Sequence, residues 1–442
     1  MTGERYRELS VGALARVEGQ AAASLAIEAD TVTAARLRIY EPPRFFEAFL
    51  RGRSHTEPPD LTARICGICP VAYQLSACRA IEDARGVVVD DRIAALRRLL
   101  YCGEWIESHT LHVYMLHAPD FLGHHDVLDL ARTHRAHVER GLRLKRAGNL
   151  IVEVLGGRAV HPVNVRIGGF HRTPARSELR PLTQSLERAR EDAVETVRWV
   201  AGFDFPDAHC DADLLALARP DTYAIESGTP TVLRQGRSGE HRNTFPLEAF
   251  TERVRETQVR HSTALHATLD GRRHLTGALA RYSISSRLLP STVRDLARSA
   301  GLDDVCRNPY RSIVVRAIEV LYAVEEARRL IDSYEPPPRP AEEVPPGSGT
   351  GHGATEAPRG LLYHRYALDR QGIVEDAVIV PPTAQNQGAI EEDLRQHAQR
   401  LLGRGKAVTD EELTRLCERV VRNHDPCISC ATHFLDLDVE RS

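Results

Sequence analysis

"RICGICP", residues 64–70, sets Cys66 and Cys69 two residues apart. "DPCISCATH", residues 425–433, repeats that spacing with Cys427 and Cys430 near the other end of the chain. A CxxC pair can turn both sulfurs toward one ion, and two pairs supply the four thiolates that zinc or an iron–sulfur centre takes. Spacing alone leaves three readings open: structural zinc, a thiol redox pair, or a catalytic soft-metal site. A zinc ribbon keeps its pairs within about 20 residues of each other, whereas these stand roughly 360 apart. A site stitched from both ends of a chain is costly as a mere staple and suits a metal held deep inside.

Around these pairs the composition is that of an ordinary soluble protein, with 42% hydrophobic and 27% charged residues in 442. The length allows two or three domains, or one large core with insertions. A net charge of −3 argues against a nucleic-acid binder. No apolar run is long enough to span a bilayer. The start, "MTGERYRELSVGALARVEGQ", lacks the basic-then-apolar pattern of a secretory signal, so the expected compartment is the cytoplasm. Nine cysteines in such a chain favour metal or redox chemistry over a disulfide framework.

Residues 7–40 alternate apolar and polar positions and predict short strands. From Pro42 to about Gly148 helical spacing dominates, and "DDRIAALRRLLYCGEWIESHTLHVYMLHAPDFLG" predicts a helix buried on several faces. "GGRAVHPVNVRIGGF" (156–170) reads as a loop or tight turn. Helix resumes at "TPARSELRPLTQSLERAREDAVETVRWV", strands at 221–235, and helices at 246–258 and 309–333. "YEPPPRPAEEVPPGSGTGHGATEAPRG" has the composition of a solvated linker rather than a site loop. A hairpin turning at 369–372 follows, then helices near 387–402 and 409–423. The expected fold is mainly α (α+β).

Beyond their spacing, the flanking residues of both cysteine pairs resemble the two signatures of the nickel–iron hydrogenase large subunit. "ARVEG" (15–19), "GGRAVHP" (156–162), "EAPRG" (356–360) and "PPTAQN" (381–386) resemble further segments of that family in the same order. The resemblance spans nearly the whole chain. It implies one large-subunit domain over 1–442, a bundle of long helices with small peripheral β parts.

On that resemblance, four thiolates hold nickel, and two of them bridge to an iron carrying cyanide and carbon monoxide. Cys66 and Cys427 would be terminal nickel ligands, and Cys69 and Cys430 the bridges. Soft thiolates suit a redox-active nickel. The implied reaction is reversible heterolytic cleavage of dihydrogen, with Glu18 as the carboxyl that takes the proton onward from a cysteine. Arg359 would lie over the bridging position, where a guanidinium keeps its charge when buried. Thr383 would donate to a cyanide, Asp425 would orient Arg359, and Ile68 would narrow the gas path. Without the resemblance, Glu18 reads as a surface carboxylate, Arg359 as a linker arginine, Thr383 as a strand-end cap, Asp425 as a helix-start residue and Ile68 as core.

The resemblance also implies a non-catalytic magnesium (or iron) held by Glu47, His433 and the Ile379 carbonyl. It implies a tail, 434–442, removed after His433 by a maturation endopeptidase. Tyr73, Ser108 and Gln20 depart from residues common in the family, and the first two point toward the cytosolic branch that exchanges electrons with NAD or NADP. The chain has no nucleotide fingerprint and no cysteine clusters to carry electrons outward. Iron–sulfur clusters would therefore sit on a small partner subunit, and NAD(P) would be reduced by diaphorase subunits. A dihydrogen sensor, or a respiratory-complex relative lacking the metal, are the other readings. Cys78, Cys102, Cys210, Cys306 and Cys417 have no metal spacing and are expected to be plain thiols.

Overall fold

The computed structural model describes residues 6–236, 239–404 and 407–432. The chain opens with an antiparallel sheet, β1 (Tyr6–Val11), β2 (Ala21–Glu28) and β3 (Thr31–Ile39), as the alternation predicts. A short α1 (Phe46–Leu50) leads to α2 (Pro70–Ala84), α3 (Asp91–Leu111), α4 (Arg135–Gly156) and α5 (Arg180–Ala201). A π-helical turn, His112–His117, extends α3 where the sequence reads as one continuous helix. Next come β4 (Asp213–Ala218), β5 (Thr229–Gly236) and β6 (Gly239–Thr244), then the antiparallel pair β7 (Val254–Thr257) and β8 (His266–Leu269). β9 (His274–Leu275) joins β4 in parallel and completes a four-stranded sheet. The last part holds α6 (Ser312–Asp332), the antiparallel sheet β10 (Gly349–Ala357), β11 (Gly360–Leu368) and β12 (Val374–Val380), then α7 (Pro382–Leu402) and α8 (Asp410–Asn423).

The long helices form the core. α3 and α6 are buried on nearly every face, which accounts for their weak amphipathic pattern. α3 packs on α4 and α6, and α6 on α5. Burying each large aliphatic side chain contributes about 1.5–3 kcal/mol, so this interior dominates stability. Polar groups tie the helices in place: Arg97 of α3 makes two bonds to Glu82 of α2, at 2.9 and 2.6 Å. That pair is 4% and 7% exposed, and it fixes register more than it stabilises.

Three expectations fail. Residues 246–258 form only a 3₁₀ turn and a four-residue helix before β7, because pairing with β8 overrides a spacing that suits either element. At 221–235 the strand begins at Thr229, and the fully buried β4 before it carries no alternation to betray it.

The third concerns the Gly/Pro-rich segment. Its second half is β10, buried and packed against α2. Gly349, Gly351 and Gly353 share one face of the strand. A Cβ on Gly351 or Gly353 would lie 2.0 Å from Ala80 O or 2.3 Å from Ser76 O. The glycines thus let a strand lie directly on a helix backbone. Thr355 continues this contact, with Oγ1 2.7 Å from Ser76 Oγ.

Candidate metal centre

A 3₁₀ turn at Ala63–Ile65 delivers Cys66, and Cys69 is the residue before α2, whose first position is Pro70. Glu104 of α3 accepts from the Val71 and Ala72 amides at 2.7 and 3.1 Å, capping α2 from the side. Burial raises the Glu104 pKa well above the ordinary carboxylate range, against the pull of those amides. On the other side, α8 ends at Asn423 and the chain turns through Asp425 at φ 50° into Cys427.

These turns bring the two cysteine pairs together. Cys66 Sγ is 3.4 Å from Cys427 Sγ, Cys69 Sγ is 3.5 Å from Cys430 Sγ, and Cys427 and Cys430 are 2.8 Å apart. One sulfur from each lies within 4.8 Å of the other three, and none of the cysteines is more than 3% exposed. The sulfurs compete for protons. Thiol contacts from Cys427, Cys430 and Cys69 pull the Cys66 pKa down. Burial and the same contacts push Cys427 up. Four adjacent thiolates out of water require a cation among them.

The remaining predicted residues surround this cluster. Pro358 and Arg359 form the two-residue connection between β10 and β11. Arg359, 3% exposed, donates to Asp425 Oδ1 at 3.1 Å and Ser108 Oγ at 3.3 Å. Its Nε and the Asp425 Oδ2 have no hydrogen-bond partner among the described residues. Burial works against the Arg359 charge, but Asp425 and the sulfurs of Cys427, Cys69 and Cys66 hold its proton more tightly than usual. Thr383, in the first turn of α7, accepts from the Cys427 amide at 3.0 Å and keeps its own proton for donation. A small chamber is lined by Cys69, Cys427, Cys430, Arg359, Thr383 and Leu362, with Cys66 outside it. Three sulfurs, a buried cation and a hydroxyl around such a space make a donor set that suits a soft, thiolate-bound transition metal.

Glu18 approaches from the other flank. Its Oε2 stands 3.1 Å from Cys427 Sγ and accepts from the Ser429 amide at 3.0 Å. The approach depends on Gly19, at φ 88°, where a Cβ would meet Ile428 Cβ at 2.5 Å. Ser429 Oγ then donates to Glu41 Oε1 at 2.9 Å. Ile68 is half-buried against the main core, and its amide donates to Cys66 Sγ at 3.3 Å. Tyr73 OH lies 3.5 Å from Cys430 O. Glu47 Oε1 accepts from the Ile379 amide at 2.7 Å. His433 and the tail after it lie outside the described residues.

Sequence reasoning missed Glu104, Glu41, Ser429 and Arg281. Arg281, in the helix Ala278–Ser285, donates to Ala357 O at 2.8 Å and Pro358 O at 2.9 Å, and so holds the turn that carries Arg359. It also pairs with Glu319 of α6 and with Glu356, whose pKa burial pushes up to about 7. A single charge in the otherwise uncharged helix Ala278–Ser285 was the available signal for Arg281; Glu104, among several charges on α3, had none. The five other cysteines are buried and lie outside this cluster.

The family model for nickel-dependent hydrogenase matches residues 44–140 and 272–433. The chain belongs to the nickel-dependent hydrogenase family. This hydrogenase is 34% identical over 440 residues to sulfhydrogenase 1 subunit alpha of Pyrococcus furiosus, covering 98% of this chain and 99% of that protein. It is 27% identical over 472 residues to the NAD-reducing hydrogenase HoxS subunit beta of Cupriavidus necator, covering 97% of this chain and 95% of that one. Its fold superposes on the crystal structure of an NAD+-reducing [NiFe]-hydrogenase in the H2-reduced state with a TM-score of 0.86 and 26% identity, over 97% and 99% of the two chains. It is thus a nickel–iron hydrogenase large subunit, an oxidoreductase acting on dihydrogen. Among the described residues no helix of the hydrogenase is long and apolar enough to cross a membrane.

Proposed function

We propose that this hydrogenase is the dihydrogen-cleaving subunit of a cytoplasmic NAD(P)-linked complex, with Glu18 as the first proton acceptor beyond the sulfur cluster. When bound, the nickel–iron centre supplies a redox-active Lewis acid at which dihydrogen divides into a proton and a hydride equivalent. Cys66, Cys69, Cys427 and Cys430 would hold it, Cys69 and Cys430 shared between nickel and an iron bearing cyanide and carbon monoxide. Arg359, kept in place by Asp425 and Ser108, presents fixed positive charge over the chamber and excludes water from it. Thr383 supports the Cys427 amide and offers a proton to an anionic ligand.

The contact of 3.1 Å between Glu18 Oε2 and Cys427 Sγ carries this reading. A proton taken by Cys427 Sγ passes to Glu18, whose carboxyl the Ser429 amide holds in place while Ser429 Oγ donates to Glu41. Electrons leave by iron–sulfur clusters on a small partner subunit, with diaphorase subunits completing transfer to NAD or NADP.

Glu47 and the Ile379 strand form two sides of a magnesium (or iron) site completed by His433. Thr432 O accepts from the Arg44 amide at 2.7 Å, which brings the chain toward α1 just before that histidine. Residues 434–442 are removed by a maturation endopeptidase, and mature protein retaining Ser442 by mass spectrometry would contradict this. The main test is Glu18→Gln: metal content and the cyanide and carbonyl infrared bands persist while dihydrogen oxidation and H/D exchange both fall. Unchanged exchange would reject Glu18 as the relay.

A further inference from the structure

Away from the sulfur cluster, the loop before β8, the first residue of β8 and the helix α7 bring together three other side chains of metal-ligating type. His261 Nε2 stands 2.8 Å from Glu391 Oε1. The rings of His261 and His266 meet edge to face, with centroids 5.4 Å apart. One donor atom from each of His261, His266 and Glu391 lies within 4.8 Å of the other two. We propose that these residues form a second metal site, taking a borderline divalent cation of the zinc class.

Three observations converge on an ion. His266 Nε2 is buried and has no hydrogen-bond partner among the described residues, a state that is costly unless something occupies its lone pair or proton. The Glu391 carboxylate is already oriented, since Oε1 also accepts from the Leu37 amide at 2.9 Å, and a carboxylate has lone pairs to spare. The loop is held as well: Gln387, one turn earlier on α7, donates to Leu265 O at 2.6 Å and accepts from Ser262 Oγ at 3.3 Å.

The donor set chooses the class of ion. Two imidazoles and one carboxylate suit zinc, cobalt, nickel or ferrous iron, and suit magnesium or calcium poorly. With bonds of about 2.1 Å, tetrahedral donors stand about 3.4 Å apart, so the present spread closes by side-chain rotation alone. His261 and Glu391 are 22% and 18% exposed, leaving room for a water ligand and a route for the ion. An ion here would tie α7, which begins at the Thr383 end of the sulfur cluster, to β3 and to the loop before β8. A plain His261–Glu391 hydrogen bond is the competing description, and it leaves His266 Nε2 without a partner among the described residues.

Cobalt(II) titration of the purified, metal-replete hydrogenase tests the site. The proposal expects one added cobalt per chain, with visible d–d absorption and no thiolate charge-transfer band. Glu391→Gln and His266→Gln should each weaken uptake at least tenfold, whereas His209→Gln, an exposed control, should not. Wild-type protein that takes up no added cobalt, or variants that bind as tightly as wild type, would overturn the proposal. A second measurement needs no variant. Carbethoxylation of His261 and His266, followed by mass spectrometry, should slow when cobalt(II) is present, and unchanged rates would also overturn it.

Discussion

On one side of the cysteine cluster Arg359 is clamped between Ser108 and Asp425, and both charged partners are 3% exposed. On the other side Glu18 meets Cys427 from a half-buried segment whose hydrogen bonds lead through Ser429 to Glu41. Both flanks place one ionisable group beside the sulfurs, yet they suit opposite tasks. A guanidinium sealed by a carboxylate cannot release its proton and serves as fixed charge. A carboxyl at the end of a polar chain can take a proton and hand it on. On the proposed reading, the closed flank positions and the open flank moves the proton.

Changing the cluster between the flanks should have the largest effect. Cys430→Ser replaces a soft ligand with a hard one, so nickel content and dihydrogen oxidation should both be lost while the helical circular-dichroism signal persists. Retained activity in that variant would remove the basis for comparing the flanks at all. On the open flank, Glu18→Gln should lower kcat about 10²–10⁴-fold, the usual worth of a proton-transfer group, with metals retained. On the closed flank, Arg359→Lys should cost about 10²-fold, since an ammonium cannot span Asp425 and Ser108 as a planar fork does. Its solvent isotope effect should stay at the wild-type value. An isotope effect that rises in Arg359→Lys and not in Glu18→Gln would reverse the assignment. The smallest change is expected for Glu41→Gln, a few-fold drop in kcat with a larger solvent isotope effect.

The sequence disclosed the cluster better than its flanks. The cysteine pairs could be read because metal ligation ties function to local residue order. Glu18 and Arg359 could be placed only through resemblance: the close passage of Gly19 past Ile428 that sets Glu18 is a tertiary contact, and composition makes the Arg359 segment a linker. The strand hidden there carries glycine at every second position because α2 lies on that face. Composition discards that alternation, and a period of two recovers it. Substituting Gly353→Ala should therefore destabilise the fold by about 1–3 kcal/mol through overpacking, measurable by urea denaturation. An exposed linker glycine would show almost none of this. Arg281 and Glu104 escaped for another reason. Arg281 is the one charge in its helix and Glu104 one of several on α3, and only tertiary packing reveals that each holds a backbone turn rather than facing water.

Nickel K-edge X-ray absorption on the purified protein tests the central claim most directly. Convergence of Cys66, Cys69, Cys427 and Cys430 on one atom predicts a first shell of sulfur near nickel, with an iron scatterer beyond it, both lost in Cys430→Ser. A first shell of nitrogen and oxygen, or a protein that carries zinc and no nickel, would contradict the account.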